Sequence, residues 1–280
     1  MPARNLILTG VPRGGTTLCC HLLNRAPDTI ALFEPIPVDA LPIGAAAVDF
    51  LRAYFQSTRQ GLQRSGQAPS YRSADGRIPD NPAADRPGQP RRWQVEHGMV
   101  QFDAPASQDF TLAIKHNASF TALLPQLHAQ FETLAIVRHP LAVLASWSSL
   151  ELAVSAGRAP AGERQDVALV QALDRQVDAP GRQIVLLDWF FQRYLQYLPA
   201  QRVLRYEDLV ESQGRILYRA LDLPDSSMIA PLQERNANPV YRSAILPRLA
   251  ERLLASDGAY WHWYPRDSVM PLLERMQATP

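Results

Sequence analysis

The sequence predicts an α/β fold built on parallel strands, and three stretches carry the prediction. Each is a short apolar run that stops at a polar turn and leads into residues at helical spacing. Leu6, Ile7 and Leu8 run into Gly10 and then Leu18, Leu22 and Leu23; Thr111–His116 runs into Ser119–Gln130; Thr133–Pro140 runs into Leu141–Trp147. Strand, turn and helix in repeated succession indicate an open α/β sheet. Ligands of such sheets collect at the carboxyl ends of the strands, so the polar residues that close each run are the candidates for function.

The first unit is the most informative. Its turn reads Gly10-Val11-Pro12-Arg13-Gly14-Gly15-Thr16-Thr17. A glycine-rich turn before a helix offers backbone N–H groups and the positive end of the helix dipole to an anion. A side chain at Gly14 or Gly15 would hold the backbone away from that ligand. The string departs from the nucleotide-triphosphate signature G-x-x-x-x-G-K-[ST] at one place. Gly10, Gly15 and Thr17 are in register with it, but Thr16 stands where the lysine belongs, and the cation sits inside the loop as Arg13. Taken alone, the same string also fits an ordinary strand-to-helix turn.

At 280 residues and 46% hydrophobic the chain can bury one large or two small cores. A net charge of +1 gives no global field for nucleic acid or an anionic membrane surface. Lys115 is the sole lysine among the basic residues, and ammonium and guanidinium are not interchangeable where geometry is tight. Cys19 and Cys20 are adjacent on the first predicted helix, where they cannot easily form a low-strain disulfide, and read as small packing residues of a reducing compartment. With no leader pattern and no membrane-length apolar run, a cytoplasmic protein is expected.

In chain order, Thr29–Pro35 is a second apolar run closed by Glu34, with Pro35 expected to hold Glu34 extended. Beside the first strand in a parallel sheet, that carboxylate would share an edge with the anion loop; an exposed loop glutamate fits the spacing equally well. An alanine-rich, partly helical stretch (38–60) precedes a proline- and glycine-rich one (67–92) with little periodicity, which fits a disordered insert or a lid. Tyr71, Trp93 and Arg72, Arg77, Arg86, Arg91 and Arg92 fit a lid that contacts a polar acceptor, and fit a solvated loop equally well.

The run at 111–116 ends on Lys115 and His116, and the one at 133–140 ends on Arg138. An ATPase or kinase would want an aspartate there to hold Mg²⁺. Arg138, with Ser146 about two helical turns on, instead suits a second phosphate, since a guanidinium fork takes two oxygens and a hydroxyl a third. Arg138 taken alone would more readily pair with a buried carboxylate. Two anion sites suggest a nucleotide with phosphates on both ends of its ribose.

A polar stretch (151–179) is expected to carry a surface helix. A longer helix over 181–198 should bury Ile184, Leu187, Phe191, Leu195 and Leu198. Arg202–Leu209 gives the last strand and turns at Glu207 and Asp208 into a helix ending near Leu221. Tyr206 fits contact with a base or, more simply, the core. Two modest helices follow Pro231, with Tyr260–Tyr264 as a core-closing aromatic cluster. No internal repeat and no metal-site spacing of Cys, His and acidic residues is visible in the sequence.

These features together resemble the sulfotransferases that use 3′-phosphoadenosine 5′-phosphosulfate (PAPS). Pro12–Thr17 resembles that family's 5′-phosphosulfate loop, Arg138 with Ser146 its 3′-phosphate motif, and Leu204–Leu209 a later segment whose tyrosine, here Tyr206, contacts the adenine side. The resemblance implies a three-layer α/β/α domain with a central parallel sheet and a P-loop-like loop, spanning residues 1–280 with a lid or acceptor-binding insertion at about 38–100. It assigns Arg13, Gly14, Gly15, Thr16, Thr17, Leu18, Arg138, Ser146 and Tyr206 to the co-substrate PAPS, with no metal.

Members of the family differ in their base. Tyrosylprotein and several bacterial members place a glutamate at the end of the second strand, as Glu34 does here, whereas cytosolic small-molecule members use Lys-x-His. Lys115-His116 lacks the intervening residue, so Glu34 is the first candidate base and His116 the second, with Lys115 beside the leaving group or the acceptor. The implied reaction is in-line transfer of a sulfuryl group to the hydroxyl of a small-molecule or glycan acceptor. Partial burial is expected to raise the pKa of Glu34 for that role, while Arg13, Thr16, Thr17 and the loop amides stabilise the developing charge. A P-loop kinase and a catalytically inactive nucleotide-binding protein are the alternatives. The acceptor is not legible; the segments that would select it are 38–98 and 151–179.

Overall fold

A computed structural model describes residues 3–85, 91–103, 107–226 and 231–278. Its strands are β1 (Arg4–Gly10), β2 (Thr29–Phe33), β3 (Gln67–Arg72), β4 (Ala83–Ala84), β5 (Arg92–Trp93), β6 (Glu96–Gln101), β7 (Thr111–Lys115), β8 (Glu132–Val137) and β9 (Val203–Arg205). The helices are α1 (Thr16–Leu23), α2 (Ala46–Ser65), α3 (Ala118–Ala122), α4 (Leu124–Leu127), α5 (Pro140–Ser148), α6 (Pro160–Glu163), α7 (Val167–Asp174), α8 (Ala179–Tyr197), α9 (Tyr206–Glu211), α10 (Arg215–Ala220), α11 (Leu246–Leu254) and α12 (Val269–Ala278).

Five strands form one parallel sheet in the order β2-β7-β1-β8-β9. β2 and β7 are buried along their whole length, as their near-continuous apolar sequences require when both faces are covered. Alternate residues divide between two layers of helix. Leu6, Leu8, Ala31, Phe33, Leu134 and Ile136 pack with α1, α9 and α10. On the opposite face Ile7, Ile30, Leu32 and Ile114 meet α2, α3 and α4, while Ala135 and Val137 meet α5, α8, α11 and α12. The fold is therefore the three-layer α/β/α arrangement that the sequence predicts.

The strand order corrects one detail. β2 does not lie beside β1; β7 is inserted between them, with Leu8 and Phe33 both in register with Lys115. The connection leaving β1 heads for one edge of the sheet and those leaving β7 and β8 for the other. That reversal opens a crevice in front of the β1 carboxyl end, and the glycine loop lies in it.

Several elements also differ from expectation. The 67–92 segment is ordered where described: β3 pairs antiparallel with β6, and β4 with β5; Arg86 lies outside the described residues. The helix expected over 119–130 is broken into α3 and α4 at Leu123, because Pro125 takes the first turn of a new helix. The 151–179 stretch holds its expected surface helix as α7, preceded by a 3₁₀ turn (Ala153–Ala156) and the single turn α6. α8 buries Gln183, Leu186, Leu187, Phe190, Phe191 and Tyr194, which rotates the expected face and leaves Leu195 48% exposed. Its start is fixed by Asp178, which accepts from the Gly181 N–H. The helix expected to follow the last strand and end near Leu221 is split at Gln213 and Gly214, both at positive φ, into α9 and α10. Cys19 and Cys20 are buried free thiols, and Tyr260 and Tyr264 close the core beside α8. Among the described residues no helix is long and apolar enough to cross a membrane.

Candidate active site

The carboxyl ends of β1, β2, β7 and β8 enclose a cavity of about 420 Å³. Pro12, Arg13, Gly15, Thr16, Thr17 and Leu18 line it from the loop and α1, as do Glu34, Lys115 and His116 from β2 and β7, and Arg138 from β8. All lie where an open α/β sheet binds its ligands.

The loop is fixed by the β8–α5 unit, one residue after another. The Val11 N–H donates to the Ile136 carbonyl (3.0 Å), Trp147 Nε1 donates to the Pro12 carbonyl (2.8 Å), and Arg138 Nη1 to the Arg13 carbonyl (3.1 Å). These bonds engage one N–H and two carbonyls of the loop, while the amides of the first turn of α1 have no side-chain cap. Two glycines are required by space as well as by conformation. A Cβ on Gly10 would lie 2.4 Å from the Ile136 carbonyl oxygen. Gly15 has φ +100°, and a Cβ there would lie 2.8 Å from Cδ2 of Tyr206. Tyr206 thus floors the loop, its buried ring covered by the Arg138 guanidinium at 4.7 Å.

Arg13 has a left-handed backbone (φ 70°), uncommon for a residue with a side chain. Its guanidinium turns toward the end of the cavity that holds Arg138: Nη2 donates to Asn81 Oδ1 (2.9 Å) and Nε to Ser146 Oγ (3.4 Å). Burial, reinforced by the neighbouring Arg91, pulls its pKa down to about 10. Arg138 is buried and pairs with no carboxylate among the described residues. Its Nε donates to Asn236 Oδ1 (2.7 Å) and its Nη2 to the Arg235 carbonyl (2.6 Å). Tyr241 lies in the same group; burial alone would raise its pKa, but Arg138, Arg91 and Arg13 outweigh it and bring the phenol down to about 8.

The opposite end holds Glu34. Lys115 Nζ donates to its Oε1 at 2.7 Å and sits 4.2 Å from the Phe33 ring centroid. The lysine side chain is 2% exposed and the glutamate side chain 30%, so the carboxylate is the member of the pair open to the cavity. Two expectations are corrected here. Glu34 is not extended but left-handed (φ 45°), overriding the preference imposed by Pro35. The reason lies in the clamps around it. Ser70 Oγ accepts from the Phe33 N–H (2.9 Å) and lies 3.2 Å from the Phe33 carbonyl, the Glu34 N–H donates to the Lys115 carbonyl (2.9 Å), and the Ile36 N–H donates to His116 Nε2 (3.3 Å). Nor is its pKa raised. Burial acts in that direction, but Lys115, His116 and the Asn117 N–H prevail and hold the carboxyl below its ordinary value.

His116 is buried against Phe120, and burial, opposed by Glu34, takes its pKa down to about 4. Its Nε2 lone pair is occupied by the Ile36 amide. The structure therefore brings Glu34, Lys115 and His116 together as one corner, and Arg13, Arg138, Ser146 and Tyr206 together as another. Asn81, Arg91, Asn117 and Tyr241 were not among the expected site residues, yet all four line the cavity. Only Arg91 carried a signal, as one of the arginines of the proline-rich segment; nothing in the spacing marks Tyr241.

No family model and no curated protein matches the chain. Two solved structures align along its full length. One is the sulfotransferase domain of the olefin synthase from Synechococcus PCC 7002, at 16% identity and a TM-score of 0.37, with 96% of that chain covered. The other is the sulfotransferase STF1 from Mycobacterium tuberculosis H37Rv, at 13% identity and a TM-score of 0.36, with 78% covered.

Proposed function

We propose that this protein is a sulfotransferase that moves a sulfuryl group from PAPS to an acceptor hydroxyl. One observation carries the reading: a single cavity holds a guanidinium cluster at one end, a glycine loop over a helix N-terminus between, and an ionised carboxylate at the other. The residues fit a nucleotide phosphosulfate. Gly15 leaves the loop backbone bare where a Cβ would strike Tyr206, and the Arg13, Arg138 and Ser146 end is cationic. In this assignment Arg138 and Ser146 hold the 3′-phosphate, and the loop amides with Thr16, Thr17 and Leu18 hold the 5′ side. Tyr206 floors the nucleotide site. Arg13 serves the phosphate end, since its guanidinium meets Ser146.

The donor, when bound, supplies the sulfuryl group; the chain supplies position and charge. Glu34 accepts the proton of the acceptor hydroxyl. His116 is not given that role, because its lone pair is already committed to the Ile36 amide. Lys115 keeps Glu34 ionised and fixes its rotamer, and its ammonium adds positive charge at the reacting centre. The hairpin segment at about 38–100 and the 151–179 segment would select the acceptor, a small molecule or glycan, with Val38, Leu152, Val154 and Ala161 on the cavity wall.

The test is transfer of labelled sulfate from PAPS to cell-extract acceptors, followed by mass analysis of products heavier by one sulfate. Label transfer without added ATP or Mg²⁺ is expected. Phosphate transfer from ATP with no sulfate transfer would overturn the reading in favour of a kinase.

A further inference from the structure

Three arginines gather at one end of the cavity, and one of them, Arg91, has no part in the assignment above. It comes from the hairpin segment and is pinned from several sides. Its N–H donates to the Ser149 carbonyl (2.9 Å), just past the end of α5, the helix that carries Ser146. Its Nε donates to Asp85 Oδ1 (2.7 Å) and its Nη2 to the Ala83 carbonyl (3.4 Å). Asp85 is held in turn by Asn238 Nδ2 (3.0 Å), three residues before Tyr241. The remaining nitrogen, Nη1, is buried with no hydrogen-bond partner among the described residues, although the side chain lines the cavity. A buried donor of this kind is costly unless a ligand meets it.

Tyr241 is the second unassigned group. The guanidinium carbons of Arg91 and Arg138 each lie 5.8 Å from its ring centroid, and its hydroxyl meets Ser146 and Arg138. The charged groups around it are Arg13 from the loop, Arg138 from the end of β8 and Arg91 from the hairpin, with Asp85 behind Arg91. Asp85 is 45% exposed and partly screened by water, so positive charge is in excess. A phosphate, with three acceptor oxygens, can use these donors together.

We propose that Arg91 and Tyr241 complete the phosphate subsite of this cavity, Arg91 through Nη1 and Tyr241 through its neutral hydroxyl, and that they select a nucleotide bearing a phosphate on its ribose over one without it. This rests on the nucleotide reading given above. An ionised phenolate beside a phosphate dianion repels it. Because the three arginines bring Tyr241 down to about 8, affinity for such a nucleotide falls as pH rises through that value.

The experiment is calorimetric binding of adenosine 3′,5′-bisphosphate and of adenosine 5′-monophosphate to wild type, Arg91→Gln and Tyr241→Phe. Arg91→Gln should weaken the bisphosphate about tenfold to a hundredfold, as expected for one charge-assisted hydrogen bond, and leave the monophosphate within about twofold. Between about pH 7 and about pH 9 the wild type should lose about tenfold in bisphosphate affinity and Tyr241→Phe less than about twofold. Unchanged bisphosphate binding in Arg91→Gln, or the same pH slope in Tyr241→Phe, overturns the inference alone. A wild type that does not prefer the bisphosphate overturns the nucleotide reading with it. Thermal unfolding separates loss of the fold from loss of the ligand, and if Arg91→Gln does not fold, the pH comparison with Tyr241→Phe decides.

Discussion

Replacing Glu34 by Gln tests the proposed base most directly, because it changes one charge and almost no volume. The variant leaves Lys115, 2% exposed, with its ammonium against the Phe33 ring and no carboxylate. Breaking a fully buried pair costs about 3–5 kcal/mol. Here the glutamate side chain is 30% exposed and Gln still offers a carbonyl oxygen, so about 1–3 kcal/mol is expected. At roughly 2–4 °C per kcal/mol that is a Tm lowered by about 2–12 °C. Turnover should fall about 10²–10⁴-fold if the carboxylate is the base. The pH dependence has a definite sign. Since the folded-state pKa of Glu34 is depressed, its contribution is present above the ordinary carboxyl value of 4.5 and is lost as pH falls through the depressed one. The difference in Tm between wild type and variant should therefore be full at neutral pH and shrink only in strong acid. A second substitution, Lys115→Met in the Glu34→Gln background, should recover stability but not turnover, which separates the ion pair from the chemistry. A Glu34→Gln protein with wild-type turnover would refute the base assignment, and an unchanged Tm at neutral pH would refute the energetic role of the pair.

Two further outcomes follow from the loop and the clamp. Gly15→Ala places a methyl group against Tyr206 at a φ of +100°, so a loss of about 1–3 kcal/mol in stability and weakened nucleotide binding are expected by thermal melt and calorimetry. Ser70→Ala strips its buried partner from the N–H and carbonyl of Phe33; stability should drop by about 1–3 kcal/mol and kcat should fall while nucleotide Kd stays constant.

The sequence made the order of strands and helices and the two polar turns that line the cavity legible, because both are local. Gly10 to Thr17 and Arg138 to Ser146 each form a strand-turn-helix whose polar residues have few places to point other than the sheet edge. It did not reveal which strand neighbours which. Insertion of β7 between β1 and β2 is a long-range pairing with no local signature, and it is what brings Lys115 against Glu34. The lowered pKa of Glu34 is hidden from the sequence for the same reason: burial can be inferred from an apolar run, whereas a lysine 81 residues away in sequence cannot. Arg91 and Arg138 gather over Tyr241 through the tertiary fold alone, which no local spacing of these residues announces.

The hairpin formed by β3 and β6 gains a different meaning from the same contacts. Its proline-rich sequence suggests a cover over an acceptor, yet its nearest bonds go to the turn that carries the carboxylate. Ser70 holds Phe33, His97 Nε2 lies 3.2 Å from the Pro35 carbonyl, and Tyr71 packs on Phe33 with ring centroids 5.4 Å apart. A left-handed glutamate before a proline costs of order 1–3 kcal/mol and persists only where its surroundings over-determine it. The hairpin and the ends of β7 supply that surplus of constraint on one side, as the β8–α5 unit does for left-handed Arg13 on the other. Both strained residues therefore face one cavity from opposite ends, each held by an element other than its own, so the distance between the carboxylate and the guanidinium cluster is set by the sheet and does not depend on a ligand to establish it.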